Sequence, residues 1–159
     1  MGSVVIDDRF APLLVSTFVG EVDLPLGQWY EETSFRLILR EAARGRRVVN
    51  IHDASRSTKA SPEMRKFWAD MKKRTPPAVE TAVLANVIVI TSAVMRGVIT
   101  AVGWMNPEVA ALKTFPSLDA ALTDALRTLA HAGTPVSLPA GGYQVPQDPG
   151  PHQAGTPRR

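Results

Sequence analysis

Apolar positions along this chain alternate between strand-like runs and helical stripes. Val4-Val5-Ile6 and Leu13 to Val19 are β-branched or apolar runs separated by Asp7-Asp8-Arg9, a pattern that predicts an opening antiparallel hairpin. The next stretch is helical and ends at Gly45, a suitable C-cap. Its periodicity is divided. Phe35, Ile38, Leu39 and Ala42 form one stripe, and Leu26, Trp29, Tyr30 and Thr33 form another about half a turn away. A helix that bends near Glu31 or carries two apolar faces accounts for both. The second face makes Trp29 and Tyr30 candidate interface aromatics, because aromatic residues concentrate at the energetic centres of interfaces.

Val48 to Ile51 is apolar on both faces and is expected to be a central strand. A polar stretch from Asp53 to Ser61 follows and is read as a loop. Ser61-Pro62-Glu63 then starts a helix, with a Ser N-cap, Pro at the first position and an acid in the first turn. Met64, Phe67, Trp68 and Met71 form its core stripe, and Thr75-Pro76-Pro77 ends it. Val83 to Ile90 is the fourth strand. Ser92 begins a helix through about Met105 whose apolar side is Val94, Met95, Val98, Ile99 and Val102. Val109 to Phe115 is the last strand, and Ser117 caps a helix with Leu118, Leu122, Leu126 and Leu129 at helical spacing.

The order β-β-α-β-α-β-α-β-α predicts an α/β domain with a mostly parallel mixed sheet and packed helices over residues 1–133. Residues 134–159 are rich in Pro and Gly and are expected to form a flexible tail. Val136, Leu138, Tyr143 and Val145 would be its anchors if it docked on a partner.

Composition narrows the chemistry. The chain has 159 residues, no cysteine and three histidines, His52, His131 and His152, whose spacing forms no metal signature. No metal or cofactor is called for. The net charge of +3 comes from basic residues interleaved with acids, which reads as solvated helix faces and makes nucleic acid an unlikely partner. The longest apolar run is too short to span a membrane, and Met1-Gly2-Ser3 lacks the features of a secretory signal. The expectation is a cytoplasmic protein. His52-Asp53 is the one pairing that suggests catalysis. Neighbours on a strand point to opposite faces, however, so the two cannot form an orienting dyad.

The hairpin, the Val48-Val49-Asn50-Ile51-His52-Asp53 strand, the helix beginning Ser61-Pro62-Glu63, and the close Phe115-Pro116-Ser117-Leu118-Asp119-Ala120-Ala121-Leu122 resemble the STAS-like, SpoIIAA-type bacterial domains of the anti-sigma factor antagonists. The ending is similar to their F-x-S-x-(D/E)-x-A-x close. The resemblance covers about residues 4–130. It implies a non-enzymatic regulatory or scaffolding module that binds another protein and is switched by phosphorylation, with association between copies left open. Members of that family carry the phosphorylated Ser in an Asp-Ser-Ser-Gly-Leu turn at the start of the second helix. Here the turn reads Lys59-Ala60-Ser61-Pro62-Glu63, with Pro in place of Gly. Ser61 is therefore first an N-cap, and Ser55, Ser57 and Thr58 are equally available hydroxyls. The candidate interaction segment is Asp53, Ser55, Ser57, Thr58 and Ser61. The alternative is a small-molecule or lipid-binding domain with an apolar pocket between the sheet and the Gly-containing third helix.

Overall fold

A computed structural model describes residues 2–107 and 112–147. The strands are β1 (Ser3–Asp7), β2 (Leu13–Val22), β3 (Val48–Ala60), β4 (Val83–Val89) and β5 (Lys113–Phe115). They lie side by side in chain order. β1 is antiparallel to β2, as expected of the hairpin, and the remaining pairs are parallel. Part of the expected last strand, residues 109–111, lies outside the described residues.

Because the strands follow one another across the sheet, right-handed crossovers put every connecting helix on the same face. α1 (Leu24–Ala43), α2 (Pro62–Ala69), α3 (Met71–Arg74), α4 (Pro77–Ala82) and α5 (Ala93–Met105) are these connections. Leu26, Tyr30, Met64, Met95, Val98 and Val102 of α1, α2 and α5 share one core with Phe18 and Ile88 of the sheet and Ile90 just past β4. α6 (Leu118–His131) follows the last strand. It is not a crossover and returns over the opposite face, where Ala121, Leu122, Ala125 and Leu129 meet Leu13, Val15, Val49, Ile51, Val87 and Val89. Even-numbered residues of β3 therefore face α1, and odd-numbered ones face α6 as far as Asp53.

The divided periodicity of α1 has a specific origin. The helix is one unbroken 20-residue element. Its buried stripe is Leu26, Tyr30, Ser34, Ile38 and Glu41, so the sheet-facing side passes through two polar residues. A hydrophobicity count loses the stripe at each of them. Glu41 is fully buried and accepts from Arg40, Arg44 and Arg46. Leu39 and Ala42, expected to face the sheet, are exposed. α1 passes close to α2 at Gly27, where a Cβ would lie 2.5 Å from the end of the Met64 side chain and would push it aside.

The segment expected as a flexible tail is partly built into the domain. Val136, Leu138 and Tyr143 pack against the α6-side core. The Tyr143 ring meets Phe10 edge-on at 6.0 Å between centroids, and Arg9 Nη2 donates to the Gln144 carbonyl at 2.9 Å. One helix cannot cover a five-stranded face, and this strap covers the side of β1 and β2 that α6 leaves open. Residues 148–159 lie outside the described residues.

Candidate interaction surface

The stretch expected to be a loop after Val48–Ile51 is strand. β3 continues to Ala60 and stays paired with β2 as far as Val22↔Ala60, whereas its pairing with β4 ends at Asp53↔Val89. The last half of β3 thus forms an arm with β2 that outruns its neighbour. Two register shifts, between Thr17 and Val19 and between Gly20 and Glu21, each insert an extra residue on the β3 side. Such bulges bend a strand and redirect its side chains. They also explain why the polar run from Ser55 to Lys59 did not read as strand: its alternation is broken twice.

The structure separates the hydroxyls that appeared equivalent in sequence. Ser57 is buried, Ser55 and Ser61 are half-buried, and Thr58 is exposed beside Arg56 and Lys59. The Thr91 hydroxyl donates to the Ser55 carbonyl at 3.3 Å, tying the arm to the start of α5. Asp53 is buried, and its Oδ1 accepts the Ser55 N–H at 3.0 Å, an Asx-type contact that fixes the backbone leaving the sheet. Lys59 pairs with Glu21 across the arm at 3.1 Å. Ser61 is the N-cap of α2, its Oγ accepting the Met64 N–H at 3.1 Å, with Pro62 as the first helical residue. Since α1 follows the end of β2 and α2 follows the end of β3, both helices start at the tip of this arm. Trp29, in the second turn of α1, is 37% exposed.

Tyr30 is not an interface aromatic. It is buried, and its hydroxyl donates to His52 Nδ1 at 2.7 Å. The opposite ring nitrogen of His52 lies 3.3 Å from Asn86 Oδ1. An amide oxygen only accepts, so Nε2 carries the proton and Nδ1 is free to accept from the phenol. The Ser16 and Ser34 hydroxyls flank the same phenol, and burial pushes it above its usual range. Burial likewise pushes His52 below the usual imidazole range, opposed in part by Asn86. The groups that face it, Tyr30 from α1 and Asn86 from β4, are both neutral. Asp53 faces the other side of the sheet. His52 is thus a neutral structural bridge from α1 to β4, held between Tyr30 and Asn86.

Sequence reasoning missed two groups. The first is the outer side of α5. Val94, expected in the core, is 62% exposed, and Trp104 and Met105 are 83% and 55% exposed. A helix that is apolar around most of its circumference was the available signal. The second is the rim beneath the strap. There Arg9 forms a bidentate pair with Asp7 at 2.9 and 2.8 Å and, against the effect of burial, holds its carboxyl below the ordinary range. Burial and the Asp7 charge push the neighbouring Tyr143 phenol up.

The expected apolar pocket between the sheet and α5 is filled by Met95, Val98 and Val102. Two open hollows lie elsewhere. One, of about 830 Å³, is a shallow depression between the end of α1 and α4; the other, of about 250 Å³, lies beside Arg9 and the strap. Among the described residues, no group of three or more His, Asp and Glu side chains is placed to hold a metal ion, and no helix is long and apolar enough to cross a membrane.

The shape of the whole domain has counterparts among solved structures. An anti-sigma factor antagonist from Mycobacterium paratuberculosis superposes with a TM-score of 0.55 at 16% identity, over 79% of this chain and 94% of that one. The chain shares its fold with that protein. A second structure, an uncharacterized DUF3478-family protein with a SpoIIAA-like fold from Shewanella loihica PV-4, aligns with a TM-score of 0.48 at 16% identity, over 79% of this chain and 95% of that one. No family model and no curated protein sequence matches. At this identity the likeness is one of fold.

Proposed function

We propose that the chain is a regulatory module that works by binding another protein, without catalysis, through the β2–β3 arm and the helix starts at its tip. The observation that carries this reading is the arm itself. A strand that outruns its neighbour presents Arg56, Thr58 and Lys59 to solvent beside the capped start of α2 and close in chain order to Trp29. The position suits recognition, because the ends of parallel strands are where α/β sheets meet their ligands. The shared fold supports the reading, since the Mycobacterium paratuberculosis protein is by name an antagonist of another protein. His52, the residue that invited a catalytic reading, is half-buried and tied by hydrogen bonds to Tyr30 and Asn86.

A phosphate-driven switch on the same arm is part of the proposal, and burial orders its sites. Thr58 is accessible without rearrangement. Ser61 would have to give up its capping bond, although a phosphate there would be stabilised by the free N–H groups of the helix start. Ser57 would have to leave the core.

The test is affinity capture from native lysate with the full chain and with an Arg56→Glu/Lys59→Glu variant whose fold is checked by circular dichroism. A stoichiometric protein held by the chain and lost by the variant is the expected result. Equal retention by both, or no stoichiometric protein on either, overturns the reading.

A further inference from the structure

We propose that the outer face of α5 is a self-association surface on which two copies of this chain pair antiparallel, about a two-fold axis near Ala101. At about 100° per residue, Val94, Gly97, Ala101, Trp104 and Met105 fall within about a quarter to a third of the helix circumference. Met95, Val98 and Val102 occupy the side turned to the core. Three large apolar side chains on one exposed stripe are more than scattered surface hydrophobicity.

The identity of the occupant follows from relief and charge. The stripe is high at its end, where Trp104 and Met105 stand out, and low in its middle. There Ala101 is small and a Cβ on Gly97 would meet no atom within 4 Å. Antiparallel pairing centred at Ala101 lays Trp104 and Met105 of each copy over the Gly97 region of the other, so the large residues meet the low ground twice. A two-fold interface must be complementary to itself in this way. It must also avoid opposing like charges. α5 carries no acid and one base, Arg96, whose guanidinium turns back along the helix to the Thr91 carbonyl at 3.4 Å. A neutral stripe suits a second copy better than an acidic protein or an anionic lipid surface, either of which would call for a basic one. A 13-residue helix is about 20 Å long, so the contact lies at the small end of protein interfaces and the dimer should be weak and concentration-dependent.

Sedimentation velocity of the full chain from micromolar to near-millimolar concentration tests this. The expected result is a monomer–dimer equilibrium that Trp104→Ser and Gly97→Arg each weaken about tenfold or more, as loss of a central contact does. Gly97→Arg also guards against misfolding, since Arg favours a helix over Gly. The chain has no cysteine, so Ala101→Cys is a direct probe of the axis. It should form a disulfide dimer under mild oxidation much faster than Thr123→Cys, an exposed site on α6. A chain that stays monomeric throughout, or a dimer indifferent to both α5 substitutions, overturns the proposal. So does a monomeric chain whose captured protein partner is lost in Trp104→Ser, because the face would then belong to that partner. Loss of partner capture in the Arg56→Glu/Lys59→Glu variant with an intact dimer keeps the two surfaces distinct.

Discussion

The two faces of the sheet solve the same burial problem differently. On the α6 face, Leu13, Val15, Val49, Ile51, Val87 and Val89 meet Ala121, Leu122, Ala125 and Leu129 in an apolar contact, and the buried acids beside it are held locally, Asp7 by Arg9, Asp124 by Lys113 and Arg127, and Asp53 by the Ser55 N–H. The crossover face contains a polar seam. Ser16, Tyr30, Ser34, Asn50 and Asn86 lie buried or half-buried around His52, between apolar layers built on α1, α2 and α5. An apolar contact tolerates small slides between its layers. The Tyr30–His52–Asn86 chain of hydrogen bonds at the centre of the seam does not, because each displaced donor or acceptor in it goes unsatisfied in a low-dielectric interior. The seam therefore fixes where α1 sits, and with it the helix starts at the tip of the β2–β3 arm. We read the α6 face as supplying mainly stability and the crossover face as supplying mainly register.

The sharpest test removes volume from the apolar face. Leu129 is fully buried, and Leu129→Ala should cost about 2–5 kcal/mol of unfolding free energy in urea. A much smaller loss would mean that α6 and the strap collapse into the gap. On the other face, Tyr30→Phe keeps the ring and deletes the donor to His52 Nδ1. It should cost about 1–3 kcal/mol, and amide exchange in α1 should quicken more than in α6. Equal quickening in both helices would dissolve the distinction between the faces.

Acid probes the seam next. The folded imidazole is held below the reference value of 6.5, so the unfolded chain takes up a proton that the folded chain refuses. Stability should be level above that value and should fall as the pH drops below it toward the folded pKa, with a limiting slope of about 1.4 kcal/mol per pH unit. His52→Gln should flatten this limb in urea titrations at successive pH values. A limb unchanged in the variant would assign it to another group. Asp7 and Asp124 have folded values lowered by Arg9 and by Arg127 with Lys113, so their contribution is present above the reference value of 3.8 and is lost only in stronger acid.

Smaller effects complete the series. Ser61→Ala removes the cap of α2 and should cost about 1 kcal/mol, measurable as a lower urea midpoint at unchanged slope. Trp104→Ser, on an exposed site, should change monomer stability by no more than about 0.5 kcal/mol. A large loss would mean that the indole is part of the fold and not a surface feature.

Local signals carried much of the architecture. The hairpin, the central strand, the Ser caps of α2, α5 and α6 and the single α/β layer system all depend on residues adjacent in the chain, where propensity and capping act directly. Two strands of the reading failed for the same reason. The arm beyond Asp53 looked like a loop because a strand paired on one side, with two bulges, loses its alternation; only β2, some forty residues earlier, supplies the pairing that makes it strand. Tyr30 looked like a surface aromatic because its stripe runs through Ser34 and Glu41. Its burial is decided by His52, and the burial of Glu41 by three arginines, contacts that local spacing does not encode. The sequence by itself determined the order and type of elements, since these follow from short-range periodicity and turn chemistry. Tertiary structure alone decided which polar groups are buried, which apolar ones on α5 are not, and that a Pro/Gly-rich segment serves as a strap, because burial depends on what the rest of the fold leaves uncovered.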